Sequence, residues 1–599
     1  AQDGGGIYAS VNSNVNLFNG VQMTDCRASN DGGGIFLDGS SSLLADDDIN
    51  LSSNHAFRGG AIFMNGGSVV TLTSSVLFAH NSAAQRGGAI DVQGGSRLQA
   101  SNQVSFVYNE AGFGGAVAVA YSSVELTDGV WMTANTASVD GGAVYMWGYC
   151  LLEAQRGVTL DSNHAVNNGG AVYLAEFSSA EVSRNVSMHS NTARDGGATF
   201  AANGCALALS GSVSVGNNAA DQRGGGIYAY GDSTVYLSDG VRMEGNVAGT
   251  RGGAVYAWDG VSVTASGVVI RDNSSPRGGG LCLVSSHVLL SNASLLSGNA
   301  ASEYGGGLFL WADSSGEMSD GVEVVGCSAG LDGGGLWIKT RGSLKLSRNV
   351  SFRSNTAGND GGAILLEEKC TVVASSGVTF SENTAQDGGG IYASVNSNVN
   401  LFNGVQMTDC RASNDGGGIF LDGSSSLLAD DDINLSSNHA FRGGAIFMNG
   451  GSVVTLTSSV LFAHNSAAQR GGAIDVQGGS RLQASNQVSF VYNEAGFGGA
   501  VAVAYSSVEL TDGVWMTANT ASVDGGAVYM WGYCLLEAQR GVTLDSNHAV
   551  NNGGAVYLAE FSSAEVSRNV SMHSNTARDG GATFAANGCA LALSGSVSV

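Results

Sequence analysis

The 599-residue sequence has a single proline, Pro276, and little charge: Asp, Glu, Lys and Arg make up 13% of it. Basic residues are the scarcest part, 25 Lys and Arg against 50 Asp and Glu, for a net charge of −25. Nucleic acid and anionic membrane surfaces both require a cationic face, so this balance excludes them as partners. No apolar run approaches the ~18 residues of a membrane-spanning helix, so no membrane insertion is expected in this segment. No initiator Met, signal peptide or targeting tail is visible. His/Cys metal spacings, a nucleophile elbow and a phosphate-binding loop are all missing. One proline is also too few for a string of ordinary globular domains.

What is plentiful is glycine, 91 residues, beside 43% hydrophobic residues, enough to bury a long core. Two nested repeats organise them. Residues 1–215 recur without change as residues 385–599, an offset of 384. The expected organisation is one continuous β-helix over 1–599, with a full tandem unit at 1–384 and a partial second unit at 385–599. The chain starts and stops in mid-unit, as a window on a longer array would. Within the unit a Gly-Gly pair followed by Ala or Gly returns every 26, 27 or 28 residues, giving 14 coils of 27.4 residues in 384.

Each coil holds three short runs with strand-like alternation, separated by Gly, Asn, Asp and Ser. No stretch has a convincing helical period. Three strands per coil at constant coil length predict an all-β, right-handed parallel β-helix, a β-solenoid whose coils pair only with their neighbours. The alternation assigns an inward column three residues before a recurrent Asn: Phe78, Phe106, Met132, Leu160, Met188 and Phe352 are members. The Asn itself recurs as Asn54, Asn81, Asn109, Asn135, Asn163, Asn191, Asn218, Asn246, Asn273, Asn299, Asn355 and Asn383, with Cys26 and Cys327 in its place in two coils. A side-chain amide at every turn can donate to one coil and accept from the other, so a structural stack is expected. Gly-Gly serves positive φ or close backbone approach at the next corner.

The coil motif resembles the repeat of the chlamydial polymorphic outer-membrane proteins. Phe352-Arg353-Ser354-Asn355 with Gly361-Gly362-Ala363-Ile364, and Phe78-Ala79-His80-Asn81 with Gly87-Gly88-Ala89-Ile90, carry the likeness, which covers essentially the whole chain. It implies a surface-exposed β-helical passenger involved in adhesion. The sequence departs from that family in its unchanged tandem copy and in having no terminal membrane barrel.

Between the two core positions of the first strand lies an outward one. Ten of its fourteen residues are aromatic, Tyr8, Phe36, Phe63, Tyr145, Tyr173, Phe200, Tyr228, Tyr256, Phe309 and Trp337, and the others are Asp91, Ala118, Cys282 and Leu365. The expected stacked stripe can stabilise the sheet, make a lateral contact with a second β-helix, or stack on a polysaccharide. Just before Gly-Gly, Asp332, Asp360, Asp387 and Asp415 fall in successive coils. They form either a calcium site, the one candidate cofactor, or a solvated acidic edge. Arg223, Arg251 and Arg277 make a basic row, and Arg58 with Arg86 a shorter one; complementary rows could set the stagger between filaments. The nine cysteines are expected to be mostly free and buried. Asn50, Asn185 and Asn349 are the candidate glycan acceptors, whereas Asn273 belongs to the inward stack.

Catalysis needs grouped carboxylates in a cleft made by longer loops. Constant coil length leaves no such loops, and the histidines are scattered. The sequence therefore reads as a non-enzymatic extracellular filament protein. It would associate with itself end to end and laterally, and a surface polysaccharide is a further candidate partner. A cell-surface adhesin passenger is the first alternative, a polysaccharide-binding or polysaccharide-cleaving β-helix the second. All these readings place it outside the cell or on its surface.

Overall fold

The computed structural model describes residues 1–599. It divides into two compact units, Ala1–Leu290 and Ser291–Val599. Each unit is a β-solenoid with turns of about 28 residues and no helix.

One turn of the first unit shows the pattern. Strand β1 (Val144–Trp147) follows Gly141-Gly142; β2 (Leu151–Gln155), β3 (Thr159–Asp161) and β4 (His164–Ala165) complete the circuit. Each strand pairs in parallel with its counterpart one turn on: Val144 with Val172, Leu152 with Ala180, Thr159 with Ser187 and His164 with Thr192. The second unit repeats this, with Leu336 against Ile364, Leu344 against Val372 and Phe352 against Phe380. Three strands per turn are as the alternation predicts. The fourth is a short segment after the Asn, two residues long in some turns, which makes the parallel sheets four rather than three.

Alternation decides what is inside. Val144, Met146, Leu152, Ala154, Val158, Leu160 and Ala165 of this turn are all buried. The inward column is continuous within each unit; Phe78 stacks on Phe106 at 4.8 Å and Phe352 on Phe380 at 5.2 Å. Each fully buried side chain of this size stabilises by about 1.5–3 kcal/mol.

The two glycines of a pair do different jobs. Gly196 has φ +65°, a left-handed conformation that L side chains resist. Gly197 needs no unusual φ, but a Cβ there would overlap the Gly225 carbonyl oxygen and reach Ala219 O at 2.7 Å. One glycine makes the corner and the next lets two turns approach.

A second polar column sits at the start of β2, where Ser68, Ser96, Ser122, Cys150, Ser178, Cys205 and Ser233 are buried. Ser68 N–H donates to Ser96 Oγ at 3.1 Å, and Ser68 Oγ donates to the Asn65 carbonyl at 2.8 Å. Cysteine is tolerated here because its thiol makes the same short-range bond; Cys150 Sγ donates to Trp147 O at 3.3 Å. All nine cysteines are free thiols, and seven are buried.

Candidate functional site

The recurrent asparagines come first, because they fix where everything else can point. All twelve predicted positions are fully buried. Asn109 N–H and Nδ2 both donate to Asn135 Oδ1 at 3.0 Å, and Nδ2 also donates to the Phe78 carbonyl at 3.0 Å. The same pattern runs from Asn54 to Asn273 in the first unit. In the second, Cys327 N–H donates to Asn355 Oδ1 at 3.0 Å, and Asn355 to Asn383 at 3.0 Å. Asn299 Nδ2 reaches Cys327 Sγ at 4.0 Å, so the thiol accepts weakly where an amide would accept well. With every donor and acceptor used inside, this column builds the wall and offers no ligand contact.

The aromatic stripe is stacked, but most of it is not exposed. Tyr145 and Tyr173 lie 5.0 Å apart, Tyr173 and Phe200 5.3 Å, and Phe309 and Trp337 4.7 Å. Phe63, Phe200, Tyr228, Tyr256, Phe309 and Trp337 are buried, Phe36, Tyr145 and Tyr173 are half-buried, and only Tyr8, in the first turn, is open. The expectation of an open lateral stripe is therefore corrected. The cover comes from the residue before Gly-Gly. Arg58 lies 4.8 Å from the Phe63 ring and Arg223 5.1 Å from Tyr228, while Phe113 packs on Tyr145 at 5.0 Å and Tyr304 on Trp337 at 4.2 Å. Guanidinium on ring combines cation–π attraction with exclusion of water.

That covering column carries the charged rows. Acidic and basic blocks meet within it and bridge at the junction. Arg58 Nε donates to Asp31 at 2.8 Å and Arg223 Nε to Asp195 at 2.9 Å; Arg442 Nε donates to Asp415 at 2.7 Å. These charges pair within a unit, where the sequence pointed to a pairing between filaments.

Asp332, Asp360 and Asp387 are half-buried and Asp415 is buried. They do not converge on a common point, and no group of three or more His, Cys, Asp or Glu is arranged to hold a metal ion. Instead Asp332 accepts the Asp360 N–H at 3.3 Å and Asp387 accepts the Asp415 N–H at 2.9 Å. Asp332 and Asp387 thus turn along the column onto backbone N–H groups, and this arrangement lends the calcium expectation no support. Asp360 is pushed up to about 7, first by burial and then by Asp332, Asp387 and Glu367.

Asp91 enters the aromatic column between Phe63 and Ala118 and is fully buried. Arg86 Nε stands 3.5 Å away and Gln93 donates at 2.9 Å, yet Asp91 Oδ1 has no hydrogen-bond partner. Burial lifts its pKa to about 6, and its copy Asp475 behaves alike. Among the glycan candidates, Asn185 and Asn349 are exposed. Asn50 is half-buried, with Oδ1 enclosed and unpartnered.

The open surface lies elsewhere, at the corner between the first and second sheets. Tyr121, Trp147, Tyr149 and Phe177 are exposed there, and so are their copies Tyr505, Trp531, Tyr533 and Phe561. Sequence reasoning passed over them because turn positions are normally small and polar. Aromatic residues in three of those slots were the available signal.

Residues 349–367 and 377–394 match the Chlamydia polymorphic membrane protein repeat. Both segments carry the Phe-x-x-Asn element, at Phe352–Asn355 and Phe380–Asn383, and both end on a first-sheet strand. The chain is a Pmp-like β-helical repeat protein. No curated protein and no solved structure matches it. No helix is long and apolar enough to cross a membrane. The matched segments hold two rungs of the Asn ladder, Asn355 and Asn383, and the Gly-Gly corners at Gly361 and Gly388.

Proposed function

We propose that this chain is a surface-displayed β-solenoid, a passenger of the adhesin type whose work is to present its outer faces to other cells. The observation that carries the reading is the pair of matched polymorphic membrane protein repeats within a solenoid of near-constant turn length. A wall that consumes its own polar groups, with no long loops, is a scaffold for display rather than a cleft for chemistry. The acidic surface suits the outside of a cell and keeps such chains apart.

The filament reading keeps one specific support, the unchanged copy of 215 residues, which multiplies length and surfaces together. The covered aromatic stripe removes its lateral contact. The test is adhesion of beads coated with the 599-residue chain to cultured epithelial cells. Saturable attachment, competed by soluble chain, is expected. Attachment no better than albumin-coated beads, with side-by-side bundles in electron micrographs, would favour the filament instead.

A further inference from the structure

We infer that the exposed aromatic corner is a docking surface for an arginine-rich segment of a protein partner, and that the chain carries it twice. The rings set the first half of the argument. Exposure runs from 38% at Trp147 to 72% at Tyr149, with Tyr121 and Phe177 between. Tyr121 meets Trp147 edge-on at 5.1 Å and 80°, and Tyr149 stacks on Phe177 at 5.4 Å and 16°. Two rings are seated on glycine: a Cβ at Gly148 would lie 2.6 Å from the Tyr121 ring, and one at Gly204 2.6 Å from Phe177. Tyr121, Tyr149 and Phe177 have φ of 52°, 54° and 59°, which costs an aromatic residue energy that Gly, Asn or Asp would spare. These rings gain no core burial in return, which marks the patch as an interaction surface.

The charge around the rings sets the second half. Glu176 precedes Phe177, and its Oε1 accepts only the Asn203 amide, at 3.0 Å. On the adjoining second sheet Glu153 and Glu181 are direct neighbours in the parallel ladder. Like charges in register repel. One turn earlier Glu125 is bridged by Arg97 at 2.8 Å, but no basic side chain bridges Glu153, Glu176 or Glu181. The arginines of those turns have other partners: Asp128 for Arg156 at 2.9 Å, Gln155 for Arg184 at 3.5 Å and Asp195 for Arg194 at 3.3 Å. Open rings beside unneutralised carboxylates fit a cation, and a net charge of −25 steers cations toward the chain. Arginine fits better than lysine, because guanidinium both stacks on rings and forks onto a carboxylate.

The second copy preserves the geometry. Tyr505 meets Trp531 at 5.1 Å and 80°, and Tyr533 stacks on Phe561 at 5.3 Å, beside Glu537, Glu560 and Glu565. Two equal sites on one chain let a repetitive partner bind with avidity.

The inference takes its setting from the display reading, but its test is in solution and fails independently of the bead assay. Fluorescein-labelled octa-arginine is titrated onto the full chain near physiological salt. About two equivalents are expected, with octa-lysine weaker. Replacing the four rings by Ser in both copies, or Glu153, Glu181, Glu537 and Glu565 by Gln, should each weaken binding about tenfold or more. A control removing four exposed turn charges, at Asp47, Asp48, Asp431 and Asp432, should change it by less than about twofold. Circular dichroism checks folding, and Tyr149→Ser with Tyr533→Ser alone serves if the larger ring variant unfolds. Equal loss in the control, or full binding without the rings, overturns the inference. So does binding of a neutral glucan that depends on the rings and ignores the Gln changes.

Discussion

Leu207 and Leu591 hold the same place in the same copied sequence, yet Leu207 is 1% exposed and Leu591 39%. Cys205 is buried and its copy Cys589 half-buried. The strand Ser187–His189 forms in the interior; in its copy only isolated bridges remain, Thr543–Ser571 and Ser571–Ser598. At the other end Cys26 is half-buried and Cys410 buried. What differs is a neighbouring turn on one side or on both. A turn of this solenoid therefore owes its order to the turns beside it, as nearest-neighbour energetics require.

That comparison can be broken by identical substitutions at matched sites, read as local hydrogen-exchange protection. The largest expected effect is at the ladder. Asn191 accepts from the Asn163 N–H and donates to Leu160 O and Asn218 Oδ1; Asn575 accepts from Asn547 and donates to Leu544 O, but makes no bond to a further amide. Asn191→Ala should cost roughly 4 kcal/mol by orphaning several buried groups, and Asn575→Ala about 1–2. Equal protection losses at the two sites would contradict neighbour dependence.

Next comes Leu207→Ala, at roughly 3 kcal/mol for a buried leucine, against less than about 1 for Leu591→Ala. Gly197→Ala follows, about 1–3 kcal/mol, because the methyl would strike the Gly225 carbonyl. Its copy Gly581 faces only Asn575 O, at 3.1 Å, so Gly581→Ala should be nearly silent. Proteolysis midpoints of the four variants are sufficient to rank them.

The smallest effect extends the comparison from shape to charge. Asp360 lies between like charges, whereas Asp415 is bridged by Arg442. A carboxyl raised to about 7 holds its proton more tightly folded than unfolded. Its stabilisation is complete below the ordinary carboxylate range and is lost as pH climbs through about 7. Amides around Gly361 should lose protection, after correction for intrinsic exchange, between acidic and mildly alkaline pH. Asp360→Asn should flatten that profile, and an unchanged slope would reject the assignment.

The fold was legible because the period is strict: Gly-Gly, the apolar column and the Asn return at fixed spacing, and a solenoid stacks like on like. The Ser/Cys column was there to be read as well, but serine at a turn looks like any turn serine. The fourth strand escaped because two residues, such as His164 and Ala165, show no alternation. The fate of the aromatic stripe was hidden for another reason. Alternation says which side of a strand a ring leaves from, not whether Arg58, Phe113 or Tyr304 will lie over it. Of the candidate site, the residue types at the exposed corner were visible in the sequence, but their solvent exposure and the missing cations beside Glu153 and Glu181 required three dimensions.

The amide ladder also gives each unit a head and a tail. Asn109 sends its backbone N–H and one Nδ2 hydrogen to Asn135 Oδ1, and Asn135 sends its own to Asn163 Oδ1, so the amide-to-amide bonds all run the same way along the axis. The dipoles add as they do in an α-helix. At this column one side of each junction carries the Asn N–H and an Nδ2 hydrogen and the other the Oδ1 that accepts both, while the second Nδ2 hydrogen returns to the preceding turn. Two such faces can join only in the same sense of travel, because a reversed partner would set donor against donor at the centre of the wall.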